Sequence, residues 1–192
     1  MSRQHGETTT MKTLYIFLTR SGTLLSNLVY SLTGAQYTHV SLAFDEDLST
    51  LYSSTRKNGY TMFPAGPSRE YLNRGVFLMR ENIPCALYAL EVTDEAYIRA
   101  KRRTQHMMHH GELYRFNSLG LLLCWMHIRW QRRRHYFCSQ FVSEVLQKSG
   151  ALDLPKPSTL MHPSDYAELP QLRCLYRGTL ADLPQRQSME MG

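Results

Sequence analysis

A cysteine at the start of an amphipathic helix and a histidine on an alternating strand are the residues of this sequence best suited to chemistry. From Cys138 to Lys148, the residues Cys138, Phe141, Val142, Val145 and Leu146 fall at i, i+3, i+4, i+7 and i+8, one apolar stripe, and Gly150 stops the helix. Cys138 is therefore expected in the first turn. There the positive end of the macrodipole and the free backbone N–H groups favour a thiolate. The amides of Cys138 and Ser139 are placed to stabilise an oxyanion. A histidine within hydrogen-bond reach would hold the thiolate as an ion pair and later protonate a leaving group, and His39 is the one suitably placed. The plainer alternatives are a small buried hydrophobe at Cys138 and a hydrogen-bonded strand residue at His39. Spacing alone does not choose between them.

The elements that must carry these residues follow from periodicity. Tyr37 to Phe44 alternates, with Val40, Leu42 and Phe44 on a core face and His39, Ser41 and Ala43 on the other. Asp45-Glu46-Asp47 is a turn, and Ser49 to Ser54 returns as the second strand of a hairpin. A loop of three or four residues sets His39 opposite Ser53 or Ser54. Thr13 to Leu18 reads as a strand, and Thr23 to Leu32 as a helix with Leu24, Leu25, Leu28, Val29 and Leu32 on one face, stopped by Gly34. Residues 56 to 75 hold Asn58-Gly59, Pro64, Gly66-Pro67 and Gly75, the chemistry of a long surface loop. Val76 to Met79 and Ala86 to Val92 are further strands. The second leads into a helix capped by Thr93 or Asp94, running to about His110 and closed by Gly111. A short helix near Pro163 to Leu169 and a last strand near Leu172 to Arg177 complete the chain.

The 192 residues, 43% hydrophobic and 20% charged, are enough for one folded domain and too few for two. Residues 1 to 10 form a loose polar tail. Residues 11 to 192 are the domain, with Met11 a second place where translation could start. Cys85, Cys124, Cys138 and Cys174 include no Cys-x-x-Cys pair, which argues against a zinc ribbon and for a reducing, cytoplasmic setting. The apolar run from Leu14 to Leu18 is too short for a leader, and nothing approaches a membrane span. No cofactor is expected and no metal: His106, His109 and His110 gather at a helix end, where imidazoles favour the dipole, without a carboxylate or thiolate to complete a ligand set.

The net charge of +6 leaves nucleic acid, anionic lipid and acidic substrates open. The aromatic residues are too few and too clustered for a single-stranded nucleic-acid platform, so no specific nucleic-acid partner is expected. The apolar stretch 116 to 130 reads either as a core helix or strand before a solvated basic loop, or as a weak membrane-surface contact. In the second case Arg129, Arg132, Arg133 and Arg134 would meet lipid phosphates, with Trp125 and Trp130 at the interface.

Three segments carry a resemblance: Y-T-H-V-S-L-A-F-D-E-D-L (37 to 48), F-C-S-Q-F-V-S-E-V-L (137 to 146) and L-P-Q-L-R-C-L-Y-R-G-T-L (169 to 180). Together they resemble the circularly permuted NlpC-type papain-like cysteine hydrolases, the YiiX-like and poxvirus-like branch, over nearly the whole chain after Met11. The resemblance implies an α+β fold with a small antiparallel sheet packed against the helix that starts at the catalytic cysteine. It also implies a histidine strand that precedes the cysteine helix, with His39 and Cys138 as a dyad. A third polar residue orients the histidine in such families; Ser53 is the first choice, with Ser54 and Tyr52 open. The implied activity is hydrolysis of an amide or ester through a thioester, on a small peptide or a lipid acyl substrate. Two rival functions stand beside it: an acyltransferase related to lecithin retinol acyltransferase, and a catalytically silent module that binds membranes or polyanions. Oligomeric state is left open.

Overall fold

Strand β1 (Met11–Thr19) is apolar on both sides, with Leu14, Ile16 and Leu18 fully buried on one and Phe17 fully buried on the other, so it demands cover on both faces. The computed structural model describes residues 10–20, 34–56, 65–74, 77 and 82–184, and in it β1 lies inside a six-stranded sheet. The other strands are β2 (His39–Ala43), β3 (Leu51–Arg56), β4 (Ala65–Glu70), β5 (Pro84–Thr93) and β8 (Arg173–Thr179). Their order is β4-β3-β2-β1-β5-β8, and every neighbouring pair is antiparallel. The class is α+β, as the sequence suggests. Two short strands, β6 (Arg115–Phe116) and β7 (His135–Tyr136), pair in parallel beside it.

Helices cover one face. Helix α1 (Asp94–His109) begins at Thr93, whose hydroxyl accepts from the Ala96 amide, and it buries Ala96, Ala100 and Met107. Helix α3 (Cys138–Ser149) ends at Gly150 in the left-handed conformation (φ 73°), as its sequence requires. Its stripe of Phe141, Val142, Val145 and Leu146 is fully buried in one cluster with Leu14, Ile16, Leu18, Val40 and Leu42. Each such side chain contributes about 1.5–3 kcal/mol of burial, so the stripe fixes α3 to the sheet. A second cluster, with Phe17, Ala43, Leu51, Leu72 and Leu180, covers the opposite face. Helix α2 (Ser118–Trp125) lies between β6 and β7 in sequence.

Several expectations change. The segment 56 to 75 is not all loop, since β4 runs through Gly66-Pro67. Edge position explains it: β4 has a single strand neighbour, so a proline without an N–H is tolerated. A Cβ on Gly66 would stand 2.9 Å from the Tyr114 carbonyl oxygen, so the glycine answers a close approach and not a turn. The hairpin is also longer than expected. Leu42 pairs with Tyr52, a register that, carried on to His39, lands on Thr55 rather than Ser53 or Ser54. Its loop is drawn inward by Leu48, which is fully buried with φ 54°, and this consumes the extra residues. Nor does β2 have a wet face: Ser41 and Ala43 are fully buried. Gly111 opens a 3-10 turn instead of closing α1, whose cap is His110. The expected helix at Thr23 to Leu32 lies outside the described residues, as do the strand at Val76 to Met79 except for Phe77 and the tail except for Thr10. Among the described residues, no helix is long and apolar enough to cross a membrane.

Candidate functional site

Cys138 is the first residue of α3, 8% exposed. The N-cap, Phe137, is extended and supplies no capping side chain, and the first bond of the helix is donated by the Phe141 amide to the Phe137 carbonyl. The first-turn amides of Cys138 and Ser139 are thus left without a side-chain cap, as an oxyanion site requires. The turn is held from several directions. Ser54 Oγ donates to the Tyr136 carbonyl (2.7 Å), tying β3 to the chain just before the thiol. Ser139 Oγ donates to the Met161 carbonyl (2.6 Å), and the fully buried Tyr166 hydroxyl donates to the Ser139 carbonyl (2.9 Å) while bonding Ser143 Oγ (2.7 Å). Such satisfied buried groups give a rigid platform.

His39 opens β2, with the Cys138 side chain near enough to help raise its imidazole pKa, and its ring is hydrogen-bonded on one side. There Nε2 stands 3.1 and 3.0 Å from the two carboxylate oxygens of Glu70, the last residue of β4. Ser41 Oγ donates to Glu70 Oε2 (2.6 Å) and lies 3.2 Å from the same ring nitrogen. With Nε2 held by the carboxylate, Nδ1 is the nitrogen left to serve the thiol. The His39 and Glu70 side chains are only 13% and 14% exposed. A carboxylate and an imidazole are thus paired in the neighbourhood of a thiol at the start of a helix. Comparison with protein-family models, curated proteins and solved structures found no match to this chain.

Electrostatics follow from this pairing. Burial opposes charge on His39, yet the Glu70 carboxylate beside it, joined by contact with Cys138, holds the imidazole pKa well above its usual value. Burial likewise opposes charge on Glu70, and the charge and hydrogen bond of His39, with the Ser41 hydroxyl, pull its pKa below the usual carboxylate range. Both directions describe one imidazolium–carboxylate pair.

Ser53 does not orient His39. Its hydroxyl is fully buried and committed to the Val40 carbonyl at 2.8 Å. Ser54 is taken by Tyr136, and Tyr52 packs edge-on against Phe44. The residues hydrogen-bonded to the His39 ring are Glu70 and Ser41, which sequence reasoning passes over. One signal was present: Glu70 is the only acidic residue between Asp47 and Glu81.

Two further features border the thiol. Gln140, fully buried, accepts from Asn117 Nδ2 at 3.3 Å, and Asn117 Oδ1 caps α2 through the Gly120 amide. Cys124 Sγ lies 3.7 Å from His162 Nε2, but burial pushes the Cys124 thiol up to about 12 and lowers the His162 pKa, so this pair is held neutral. His106 and His109 pack against His110 at the end of α1, tilted and edge-on, with centroids 4.6 and 4.8 Å apart. Among the described residues, no group of three or more His, Cys, Asp or Glu is arranged to hold a metal ion.

Proposed function

We propose that this chain is a cysteine hydrolase with a permuted papain-like fold, in which Cys138 is the nucleophile, His39 the acid–base and Glu70 the residue that orients and charges the imidazole. The observation that carries the reading is the pairing of His39 with the half-buried Glu70 carboxylate, in the neighbourhood of a thiol at a helix N-terminus. A thiolate and an imidazolium held by a carboxylate form an acyl-transfer centre. The Cys138 sulfur attacks the acyl carbonyl carbon, and the developing oxyanion turns to the first-turn amides of α3. The imidazolium gives its proton to the leaving amine or alcohol as the C–N or C–O bond breaks. The neutral imidazole then takes a proton from water, whose oxygen attacks the thioester, releasing the acid and restoring the thiol.

The substrate class is an amide or ester of a small peptide or lipid acyl group. The test is capture of the acyl-enzyme: incubation with an activated ester should add the acyl mass to the Cys138 peptide, with the adduct decaying in water. Loss of the adduct in Cys138→Ala, and its slow formation in His39→Ala, are the expected results. Acylation spread evenly over Cys138 and the exposed Cys174 would sink the proposal. Decay hastened by an added amine, with the amide as product, would move the reading to acyl transfer.

A further inference from the structure

Among the described residues, helix α2 and the residues just after it leave the most apolar surface exposed. The helix turns Gly120 and Cys124 inward, yet Leu119 is 52% exposed, Leu122 50%, Met126 just beyond its end 60%, and Ile128 46%. These four fall within ten residues and account for most of the large hydrophobics exposed among the described residues. A soluble surface rarely concentrates them so. Of the two sequence readings of this stretch, the core helix therefore gives way to an exposed one.

Charge supplies the second observation. Between Glu112 and Glu144 there is no acidic residue, while Arg115, Arg129, Arg132, Arg133 and Arg134 all fall in that interval. All five are exposed. A short apolar helix bordered by uncompensated arginines matches an anionic bilayer, which offers phosphates to the guanidinium groups and acyl chains to the leucines. Nucleic acid matches it less well, because the exposed apolar residues are aliphatic and offer no stacking face.

We infer that α2 and the arginine run after it form a docking surface for the anionic face of a phospholipid bilayer. The surface is tied to the thiol: the Asn117 cap of α2 donates to Gln140, two residues beyond Cys138. A bilayer docked there lies beside the start of α3. Docking does not require Cys138 to react, and Cys138→Ala should bind vesicles as the parent does, so failure of the hydrolase reading and failure of this one are separate results.

The experiment is vesicle co-sedimentation of the full chain, comparing phosphatidylcholine vesicles with vesicles about one-third phosphatidylserine, at low and high salt. Two variants on exposed positions are compared: Leu119→Ser with Leu122→Ser and Met126→Ser, and Arg129→Gln with Arg132→Gln and Arg133→Gln. The parent should favour the anionic vesicles by at least about tenfold and lose that preference in high salt. The arginine variant should lose roughly 100-fold on anionic vesicles, and the leucine variant should keep only a weak, salt-sensitive remnant. Equal binding to both vesicle types, or an arginine variant that binds like the parent, would overturn the inference, and the second outcome does so even if the leucine variant fails to fold. Equally tight binding to duplex DNA, unaffected by the leucine changes, would overturn it in favour of a nucleic-acid partner.

Discussion

Replacing Glu70 by Gln removes one charge and almost no volume, so it isolates what the carboxylate does for His39. Nε2 lies 3.0 and 3.1 Å from the carboxylate oxygens, and Gln retains one oxygen able to accept that N–H. A charge-assisted hydrogen bond contributes about 1.5–3 kcal/mol and a neutral one about 0.5–1.5, so the exchange costs the imidazolium about 1–2 kcal/mol. At 1.36 kcal/mol per decade this is about a 5- to 30-fold loss in any step that needs the thiolate–imidazolium form. The measurement is the rate of iodoacetamide alkylation of the Cys138 peptide at about pH 6, where a free thiol reacts slowly. The His39 ring titration followed by NMR runs beside it. Glu70→Gln should slow alkylation by that factor and lower the midpoint of the His39 titration. Ser53→Ala should change neither, because that hydroxyl serves the Val40 carbonyl. Unchanged alkylation and titration in Glu70→Gln, or an equal effect from Ser53→Ala, would refute the assignment of the orienting residue.

The His39–Glu70 pair should also leave its mark on stability. His39 titrates above its ordinary 6.5 in the folded state, so its contribution is complete below that pH and is lost as pH rises through the raised value. Glu70 titrates below its ordinary 4.5, so its contribution is complete above that pH and is lost as pH falls through the lowered value. Urea unfolding should therefore give the pair's full contribution between 4.5 and 6.5, and Glu70→Gln should flatten both flanks. Tyr166→Phe removes a buried hydroxyl that bonds Ser139 and Ser143, and should cost about 1–3 kcal/mol in the same assay. Gly66→Ala places a Cβ 2.9 Å from the Tyr114 carbonyl oxygen and should destabilise by about 1–3 kcal/mol, with a shift in the His39 titration as β4 moves.

The cysteine helix is legible because its stripe, its first turn and its terminal glycine all agree, and a fully buried face leaves little room for another register. The histidine strand is legible for the same reason. Glu70 is not, because the strand that carries it contains Gly66 and Pro67, and local chemistry reads that pair as a turn. Edge position and the approach of the Tyr114 carbonyl reverse the reading, and both are tertiary facts. The misplaced pairing of His39 with Ser53 has a similar source: a buried Leu48 in a left-handed conformation lengthens the hairpin loop, and no pattern of turn residues announces it. The exposure of α2 is one of two readings the sequence leaves open, since an apolar run looks the same whether a core or a membrane receives it.

The order of the chain has a temporal consequence. His39 and Glu70 lie on strands of one sheet, whereas Cys138 belongs to a helix much later in the chain. During synthesis the base and its carboxylate emerge well before the nucleophile, and contacts of such long sequence separation form late. A chain released only as far as β5 can pair β1 to β4 and seat His39 against Glu70, yet it has no thiol at that place to react. Reactivity at Cys138 thus becomes a reporter of a late docking event, the closure of α3 onto strands already paired, with only β8 still to join the sheet.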